Sequence, residues 1–128
     1  ISTYYITFND LINQLMKANS ENRADIKIKY FCKYKLLIID EIGYLPITKE
    51  GAYLFFQLIN KRYEKKSTIL TTYQIFSKWP EVFGDSVVTA AIVDRLVHHS
   101  HIIKINGKSY RIKDRNVVLK KSVDKEYE

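Results

Sequence analysis

Residues 36–41, Leu-Leu-Ile-Ile-Asp-Glu, constrain the possible folds of this chain more than any other feature. Four consecutive aliphatic residues in so short a run are typical of a strand that is buried on both faces, as in a parallel sheet. In open α/β sheets, ligands bind beyond the carboxyl ends of the strands. The run therefore predicts that the carboxylates of Asp40 and Glu41 lie where such a sheet holds its ligand.

Two interpretations of this strand are compatible with the residues. In a nucleotide hydrolase, the first carboxylate would hold Mg²⁺, directly or through water, and the second would polarise the attacking water, which is the Walker B pattern. Alternatively, the run is a core strand that ends in a solvated acidic turn. The sequence contains no P-loop, G-x-x-x-x-G-K-[ST], because none of its four glycines is followed five residues later by Gly-Lys. Since the chain also begins at Ile1, without a Met, we interpret it as part of a longer protein or as a damaged copy of one.

Basic residues are concentrated near the C-terminus. The net charge is +7, and residues 104–121 hold seven basic residues against one acidic residue, Asp114. Such a block favours polyanionic partners, of which nucleic acid is the commonest, although a basic tail can equally serve solubility. Cys32 is the sole cysteine, which fits a reducing compartment, and no apolar stretch approaches the roughly 20 residues of a membrane helix. We therefore expect a cytoplasmic protein that binds no membrane.

Apolar periodicity predicts strands and helices in alternation along one domain of 128 residues. Such alternation is typical of a mostly parallel sheet with helices on its faces. The predicted strands cover residues 4–6, 36–39, 67–72 and 102–105, and the predicted helices cover residues 8–17, 23–34, 49–65 and 86–97. We expect Thr7, Thr48 and either Asp85 or Ser86 to cap three of these helices.

A C-terminal hairpin is predicted by the Asn-Gly pair at 106–107, because both residues tolerate the positive φ of a tight turn. This turn would place Ile103 and Ile105 opposite Tyr110 and Lys108. Residues 114–128 are polar and basic apart from Val-Val-Leu at 117–119, and we predict that they form a tail.

Three stretches of the sequence resemble a known family. They are LLIIDEIGYLPITKEGAYLFFQLINKRYEKKSTILTTYQ, WPEVFGD and AAIVDRLVHHSHIIKINGKSYRIKDR, and they extend over most of the chain. With this spacing, the chain resembles the IstB transposition helper ATPases, relatives of the helicase loader DnaC in the initiator branch of AAA+ ATPases. The resemblance implies an α/β fold, a partial AAA+ P-loop NTPase module with a mostly parallel sheet, helices on both faces and a C-terminal β-hairpin.

The resemblance also implies roles for individual residues. Asp40 stands at the position that holds Mg²⁺, and Glu41 at the position that activates water. Thr72 and Tyr73 stand at sensor 1, which contacts the γ-phosphate or the water, but a phenol replaces the carboxamide that the family usually has at the second position. Arg95 stands where the family places an arginine finger that reaches a neighbouring subunit's nucleotide. An ion pair at a helix end is the alternative for Arg95.

Two basic regions are candidates for DNA binding. By the resemblance, residues 8–33 take the place of helices that line a central DNA path. There, charges would contact phosphates and rings would stack on bases; the residues in question are Lys27, Lys29 and Lys33 with Tyr30 and Phe31. The alternative is a solvated basic helix whose rings face inward. The second region is the C-terminal block, with candidate residues Lys104, Lys108, Arg111, Lys113 and Arg115.

The resemblance implies that the intact protein binds ATP and Mg²⁺, assembles as a ring or spiral on DNA and delivers the target to a transposase. Two other functions stay open, a loader of a replicative helicase and a non-catalytic DNA-binding remnant. Because it lacks a phosphate cradle, this chain alone is expected to hold neither cofactor and to be inactive as an ATPase. In the family, the P-loop strand lies between the strands at 67–72 and 102–105. Its loss would leave two facing strand edges, unless they close on each other or a partner fills the gap.

Overall fold

In a computed structural model that describes residues 1–98, 100–105 and 115–120, the described residues form one sheet flanked by helices. The longest helix has 14 residues, and no helix in the described part of the chain is long and apolar enough to cross a membrane. In chain order, the strands and α-helices are β1 Thr3–Thr7, α1 Phe8–Ser20, α2 Ala24–Cys32, β2 Leu36–Ile42, α3 Lys49–Arg62, β3 Ser67–Thr72, α4 Trp79–Phe83, α5 Ser86–Val97, β4 Ser100–Ile105 and β5 Arg115–Lys120.

The strands are ordered β1-β2-β3-β5-β4 across the sheet. β1, β2 and β3 are parallel neighbours, whereas β5 runs antiparallel both to β3 and to β4. The parallel strands and the alternating helices confirm the predicted α/β class. β4 and β5 form an antiparallel pair at the C-terminal end of the described fold.

The residues that pair with β4 differ from the sequence prediction. The observed pairs are Ile103 with Val117 and Ile105 with Arg115; the residues predicted there, Tyr110 and Lys108, lie outside the described part of the chain. Residues 115–120, predicted within a polar tail, form a strand in the gap between β3 and β4. Because this segment pairs with both β3 and β4, the backbone N–H and C=O groups on both of its sides have hydrogen-bond partners. In a separate hairpin, only the groups on one side of the strand would have them.

Side chains cap three helices at the residues that the sequence indicates. The Thr7 hydroxyl accepts a hydrogen bond from the N–H of Asp10 at 3.3 Å, and the Thr48 hydroxyl accepts one from Gly51 at 3.1 Å. At α5 the cap is Asp85, whose carboxylate accepts bonds from the N–H groups of Val87 and Val88 at 2.8 and 3.0 Å. These caps fix where the helices begin, and hence how they approach the sheet.

The core lies between the sheet and the helices that pack on α3. One face of α1 is buried, at Phe8, Leu11, Ile12 and Leu15. Phe8 meets Phe55 of α3 edge to face at 5.1 Å between ring centroids. α1 and α3 approach closely at Gly51, where an added Cβ would lie 2.8 Å from Cγ2 of Ile12. A larger residue at Gly51 would therefore push the two helices apart.

Arg62, at the end of α3, is a buried cation with 1% of its surface exposed. Its guanidinium donates to the carbonyl oxygens of Phe31 and Tyr34 at 2.9 Å each, and to the Ser67 carbonyl at 2.5 Å and the Thr68 hydroxyl at 3.0 Å. Burial lowers the pKa of Arg62 to about 10, so it is charged at neutral pH. This one side chain joins α3, the end of α2 and the start of β3.

Candidate functional site

The carboxyl edge of the parallel strands brings the predicted acidic residues together with the end of β3. Asp40 lies opposite Thr7 at the end of β1, and Ile42 lies opposite Thr72 at the end of β3. The edge is therefore shared by three neighbouring strands. This is the position at which open α/β sheets bind ligands.

The carboxylate of Asp40 is held by hydroxyl groups from both neighbouring strands. The Tyr5 hydroxyl of β1 donates to Oδ2 at 2.7 Å, and the Thr71 hydroxyl of β3 donates to Oδ1. The Thr71 oxygen also accepts a hydrogen bond from the N–H of Glu41 at 2.9 Å. Thr71 thus links the two acidic residues, and the orientation of Asp40 is fixed from two sides.

A bulge at the end of β2 interrupts the regular pairing of Asp40 and Glu41 with β3. The register with β3 shifts between Ile39 and Ile42, and Glu41 has a φ of +67°. A left-handed conformation costs a non-glycine residue about 1 kcal/mol or more, and such strain is concentrated at functional sites. Gly43 follows with a φ of +97°, and an added Cβ there would lie only 2.8 Å from Cγ of Gln74. The turn beyond the carboxylates therefore requires glycine.

The donor set fits Mg²⁺ that is bound together with phosphates, and does not form a metal cage by itself. Mg²⁺ is usually held by one or two carboxylates plus water and phosphate oxygens, which Asp40, with Glu41 beside it, can supply. Among residues 1–98, 100–105 and 115–120, no group of three or more His, Cys, Asp or Glu side chains converges on one point. Any metal at this edge would thus depend on ligands from a bound nucleotide.

Thr72, the threonine that the sequence predicts at sensor 1, contacts the turns that follow β2 and β3. Thr72 is 1% exposed, and its hydroxyl donates to the Ile42 carbonyl at 2.6 Å and accepts from the N–H of Gln74 at 3.0 Å. Thr72 therefore ties the turn after β3 to the turn after β2, and Tyr73 lies half-buried in that turn. The hydroxyl at the Asp40 carboxylate belongs to Thr71, which sequence reasoning missed.

Arg95 lies at the opposite edge of the sheet from Asp40. It is near the end of α5, and Ser100, which starts β4, is level with Thr68 at the amino end of β3. At about 3.3 Å per residue, the length of β3 separates the two edges by roughly 16 Å. The Arg95 guanidinium carbon lies 4.7 Å from the centroid of the Tyr63 ring. Arg95 is thus well removed from the carboxylates of its own chain.

The basic residues of α2 are arranged around tyrosine rings. The ammonium groups of Lys27 and Lys33 lie 4.9 and 4.7 Å from the centroid of the Tyr30 ring, and Lys29 is exposed. Phe31 has no exposed surface, so it is a core residue and cannot stack on a base. For Phe31, the interpretation of a basic helix with inward-facing rings is confirmed.

The C-terminal candidates for DNA binding are only partly within the described residues. Lys104 is exposed on β4, and Arg115 begins β5 opposite Ile105. The remaining candidates, Lys108, Arg111 and Lys113, lie outside the described part of the chain. The structure therefore places one end of the basic block at the β4–β5 pair.

Comparisons with known proteins agree with the fold. Residues 1–118 match the family model described as IstB-like ATP binding protein. The chain is 58% identical over 113 residues to a protein of insertion sequence IS232 from Bacillus thuringiensis subsp. berliner, covering 88% of this chain and 45% of that protein. It is 49% identical over 111 residues to a protein of IS21 from Pseudomonas aeruginosa, covering 87% and 42%. It is 43% identical over 122 residues to a protein of IS5376 from Geobacillus stearothermophilus, covering 95% and 49%.

The names of these three relatives describe each of them as an insertion-sequence ATP-binding protein. The chain spans about half the length of the relatives that it matches. The family model, by contrast, matches nearly all of this chain, including both carboxylates, Arg95 and the pair of C-terminal strands through residue 118. The chain therefore belongs to the family of IstB-like ATP binding proteins.

Proposed function

We propose that this chain forms the Walker B half of an ATP site in a protein that assists DNA transposition. The observation that carries the proposal is the bulge at the end of β2, which interrupts the pairing of Asp40 and Glu41 with β3 while Thr71 and Tyr5 hold the Asp40 carboxylate. Strained backbone at the ligand-binding edge of a sheet is typical of a functional site. The insertion-sequence relatives, named for ATP binding, support the same function.

In this proposal each carboxylate has a separate task. Bound Mg²⁺ would neutralise the charge that develops on the phosphates. Asp40 holds the metal directly or through water, and Tyr5 and Thr71 keep its carboxylate in one orientation. Glu41 accepts a hydrogen bond from the attacking water, which orients the water and raises its nucleophilicity. Because Thr71 contacts both the carboxylate of Asp40 and the backbone of Glu41, it fixes the positions of these two residues relative to each other.

Two further groups complete the proposed site. Thr72 and Tyr73 stand at sensor 1, at the end of the neighbouring strand, and Tyr73 would supply a phenol to the γ-phosphate or the water. Arg95 serves the nucleotide of a neighbouring subunit, because it lies at the other edge of the sheet from its own Asp40. A contact of this kind is head-to-tail, and repeated head-to-tail contacts build a ring or a spiral.

Transposition is the favoured client process, with DNA and a transposase as the partners. The names of the relatives refer to insertion sequences, and the basic block at 104–121 suits a polyanion. A second candidate is a non-catalytic DNA-binding remnant, which the same basic block also suits. A helicase loader would use the same fold and site, and nothing in the described residues favours it.

The proposed Mg²⁺ role of Asp40 is testable in a hybrid protein, defined as the IS232 relative in which this chain replaces the matching segment. We expect Asp40→Asn in the hybrid to weaken binding of Mg²⁺-ATP about tenfold or more, because a neutral amide is a poor ligand for Mg²⁺. Titration of a fluorescent ATP analogue, with and without Mg²⁺, measures this change.

The matched control for this experiment is Asp25→Asn, which neutralises an exposed carboxylate in the first turn of α2. This variant should bind Mg²⁺-ATP like the unchanged hybrid. In the presence of a chelator, Asp40→Asn and the unchanged hybrid should bind ATP equally. An Asp40→Asn hybrid that keeps its full affinity for Mg²⁺-ATP would contradict the proposed site, whereas a hybrid that binds no nucleotide in any form would favour the DNA-binding remnant.

DNA binding can be tested on this chain itself. We expect weak, sequence-independent binding whose affinity falls steeply as salt rises, because each neutralised phosphate releases condensed counterions. If the C-terminal block makes the contacts, a triple change of Lys104, Lys108 and Lys113 to Gln should flatten the slope of log affinity against log salt by up to about 2.7, at roughly 0.9 per phosphate contact. Fluorescence anisotropy on a labelled duplex across a salt series gives the slope.

The control removes an equal charge at the end of α3 and in the turn that follows it, by changing Lys61, Lys65 and Lys66 to Gln. If both triple variants flatten the slope equally, the binding reflects net charge and not the C-terminal block. A parallel triple change at Lys27, Lys29 and Lys33 tests the α2 region in the same way. Affinity that does not respond to salt would exclude phosphate contacts at either region.

A further inference from the structure

Arg95 contacts an aromatic side chain, Tyr63, that has no role in the proposed mechanism. Its guanidinium carbon lies 4.7 Å from the centroid of the Tyr63 ring. The hydroxyl of Tyr63 lies 2.5 Å from Nδ1 of His98, and the two rings stack at 6.0 Å. Tyr63 therefore contacts the last turn of α5 and the residue that follows it. Burial raises the pKa of Tyr63, so its phenol stays neutral at physiological pH.

The backbone that carries Tyr63 is closed into a tight turn. The N–H of Tyr63 donates to the carbonyl of Asn60 at 3.3 Å, and the N–H groups of Lys65 and Lys66 donate to the carbonyl of Arg62 at 3.0 and 3.1 Å. Glu64, in the middle of the turn, has a φ of +61°. The residue before Tyr63 is Arg62, the buried cation that joins three elements. Its hydrogen bonds therefore hold the backbone that carries the Tyr63 ring in place.

We infer that Tyr63 is a positioning residue for Arg95, holding the guanidinium in the orientation in which it enters a neighbouring subunit's site. An arginine side chain has many rotamers, and ordering it only on assembly would reduce the benefit of the contact. Contact with a fixed ring limits those rotamers in advance. The inference rests on the proposed role of Arg95, and the experiment separates the two.

The test uses three variants of the hybrid protein and its ATP turnover. We expect Tyr63→Leu to lower kcat about tenfold with an unchanged KM for ATP, because the arginine acts in the transition state and not in ground-state binding. Tyr63→Phe keeps the ring and loses the hydroxyl, and should retain at least half of kcat. Tyr53→Leu, which removes an exposed tyrosine from the outer face of α3, should change nothing.

A second readout follows Arg95 in this chain without any turnover. In the NMR spectrum, the side-chain protons of Arg95 should be shifted by the ring current of Tyr63, and the shift should persist in Tyr63→Phe and vanish in Tyr63→Leu. Retention of kcat in Tyr63→Leu, or equal losses in the Phe and Leu variants, would overturn the inference. Full turnover in Arg95→Ala would instead overturn the proposed role of Arg95, and a Tyr63→Leu loss that is accompanied by a raised KM would assign Tyr63 to structure alone.

Discussion

Alanine in place of Arg95 is expected to lower assembly-dependent ATP turnover of the hybrid protein by about three orders of magnitude, or ~4 kcal/mol of transition-state stabilisation. A guanidinium that neutralises charge on the transferring phosphoryl group is worth this much in related chemistry. ATP binding should be nearly unchanged, because Arg95 lies at the opposite edge of the sheet from its own Asp40. Steady-state ATPase rates and nucleotide titrations together measure both quantities.

Mixing two inactive variants decides whether Arg95 acts across an interface. If it does, combining Arg95→Ala subunits with Glu41→Gln subunits creates some pairs in which an intact Glu41 site meets an intact Arg95, and part of the turnover returns. If Arg95 acts within its own chain, no pairing restores a complete site, and the mixture stays as inactive as either variant. Glu50→Gln, at an exposed position on α3, serves as a control that should keep full turnover alone.

Methionine in place of Arg62 is expected to lower the free energy of unfolding of this chain by about 3 kcal/mol. The change removes the cost of burying a charge, but it leaves three backbone carbonyls and a hydroxyl without their donor. A buried polar group without a partner costs about 1–3 kcal/mol, and four such losses exceed the relief from removing the charge. The free energy of unfolding of a typical domain is only about 5–15 kcal/mol, so this loss is a large fraction of the total stability. Urea denaturation followed by circular dichroism measures it.

The neighbouring residue offers a matched control for this prediction. Lys61 is exposed on the same helix, and Lys61→Met should change stability by less than about 0.5 kcal/mol. Arg62→Lys keeps the charge but loses the planar fork of donors, and should fall close to Arg62→Met. A loss below 1 kcal/mol in Arg62→Met would mean that the carbonyls find other donors and that the network is not required.

Local sequence patterns predicted the elements that position the site. The aliphatic run before Asp40 became a strand, fully buried at Leu37 and Ile39 on one face and half-buried on the other, where burial on both faces was predicted. The predicted caps at Thr7 and Thr48 became helix starts with the expected hydrogen bonds. These features depend on neighbours within a few residues, which is the range over which apolar periodicity and capping act. The placement of both carboxylates at the ligand edge followed from them.

The residues that hold Asp40 could not be found from the same patterns. Thr71 and Thr72 are adjacent and chemically identical, and the register of β2 with β3, in which Ile39 lies opposite Leu70, decides which hydroxyl meets the carboxylate. Tyr5 reaches Asp40 from another strand, so its role depends on the register between β1 and β2. A strand alternates its faces every residue, and a shift of one position changes each such contact.

The burial of Arg62 was equally invisible in the sequence. It stands beside Lys61, Lys65 and Lys66, and four cations at the end of a helix predict a solvated cluster that suits the helix dipole. Lys61 and Lys65 are exposed and Lys66 is half-buried. Arg62, by contrast, turns inward toward carbonyls contributed by residues about 30 positions earlier. Side-chain partners at that separation are a property of the tertiary fold.

The position of β5 also governs the order in which the chain can finish folding. Among the described strands, β3 and β4 are joined in the sheet only through β5. On a ribosome, which adds about 5–20 residues each second, the sheet closes only after residue 120 has left the exit tunnel. Until then, β3 and β4 present open strand edges to other nascent chains. Because β3 and β5 are far apart in the sequence, their pairing is intrinsically slow. The pairing of residues 115–120 is therefore the step that removes the facing open edges of β3 and β4.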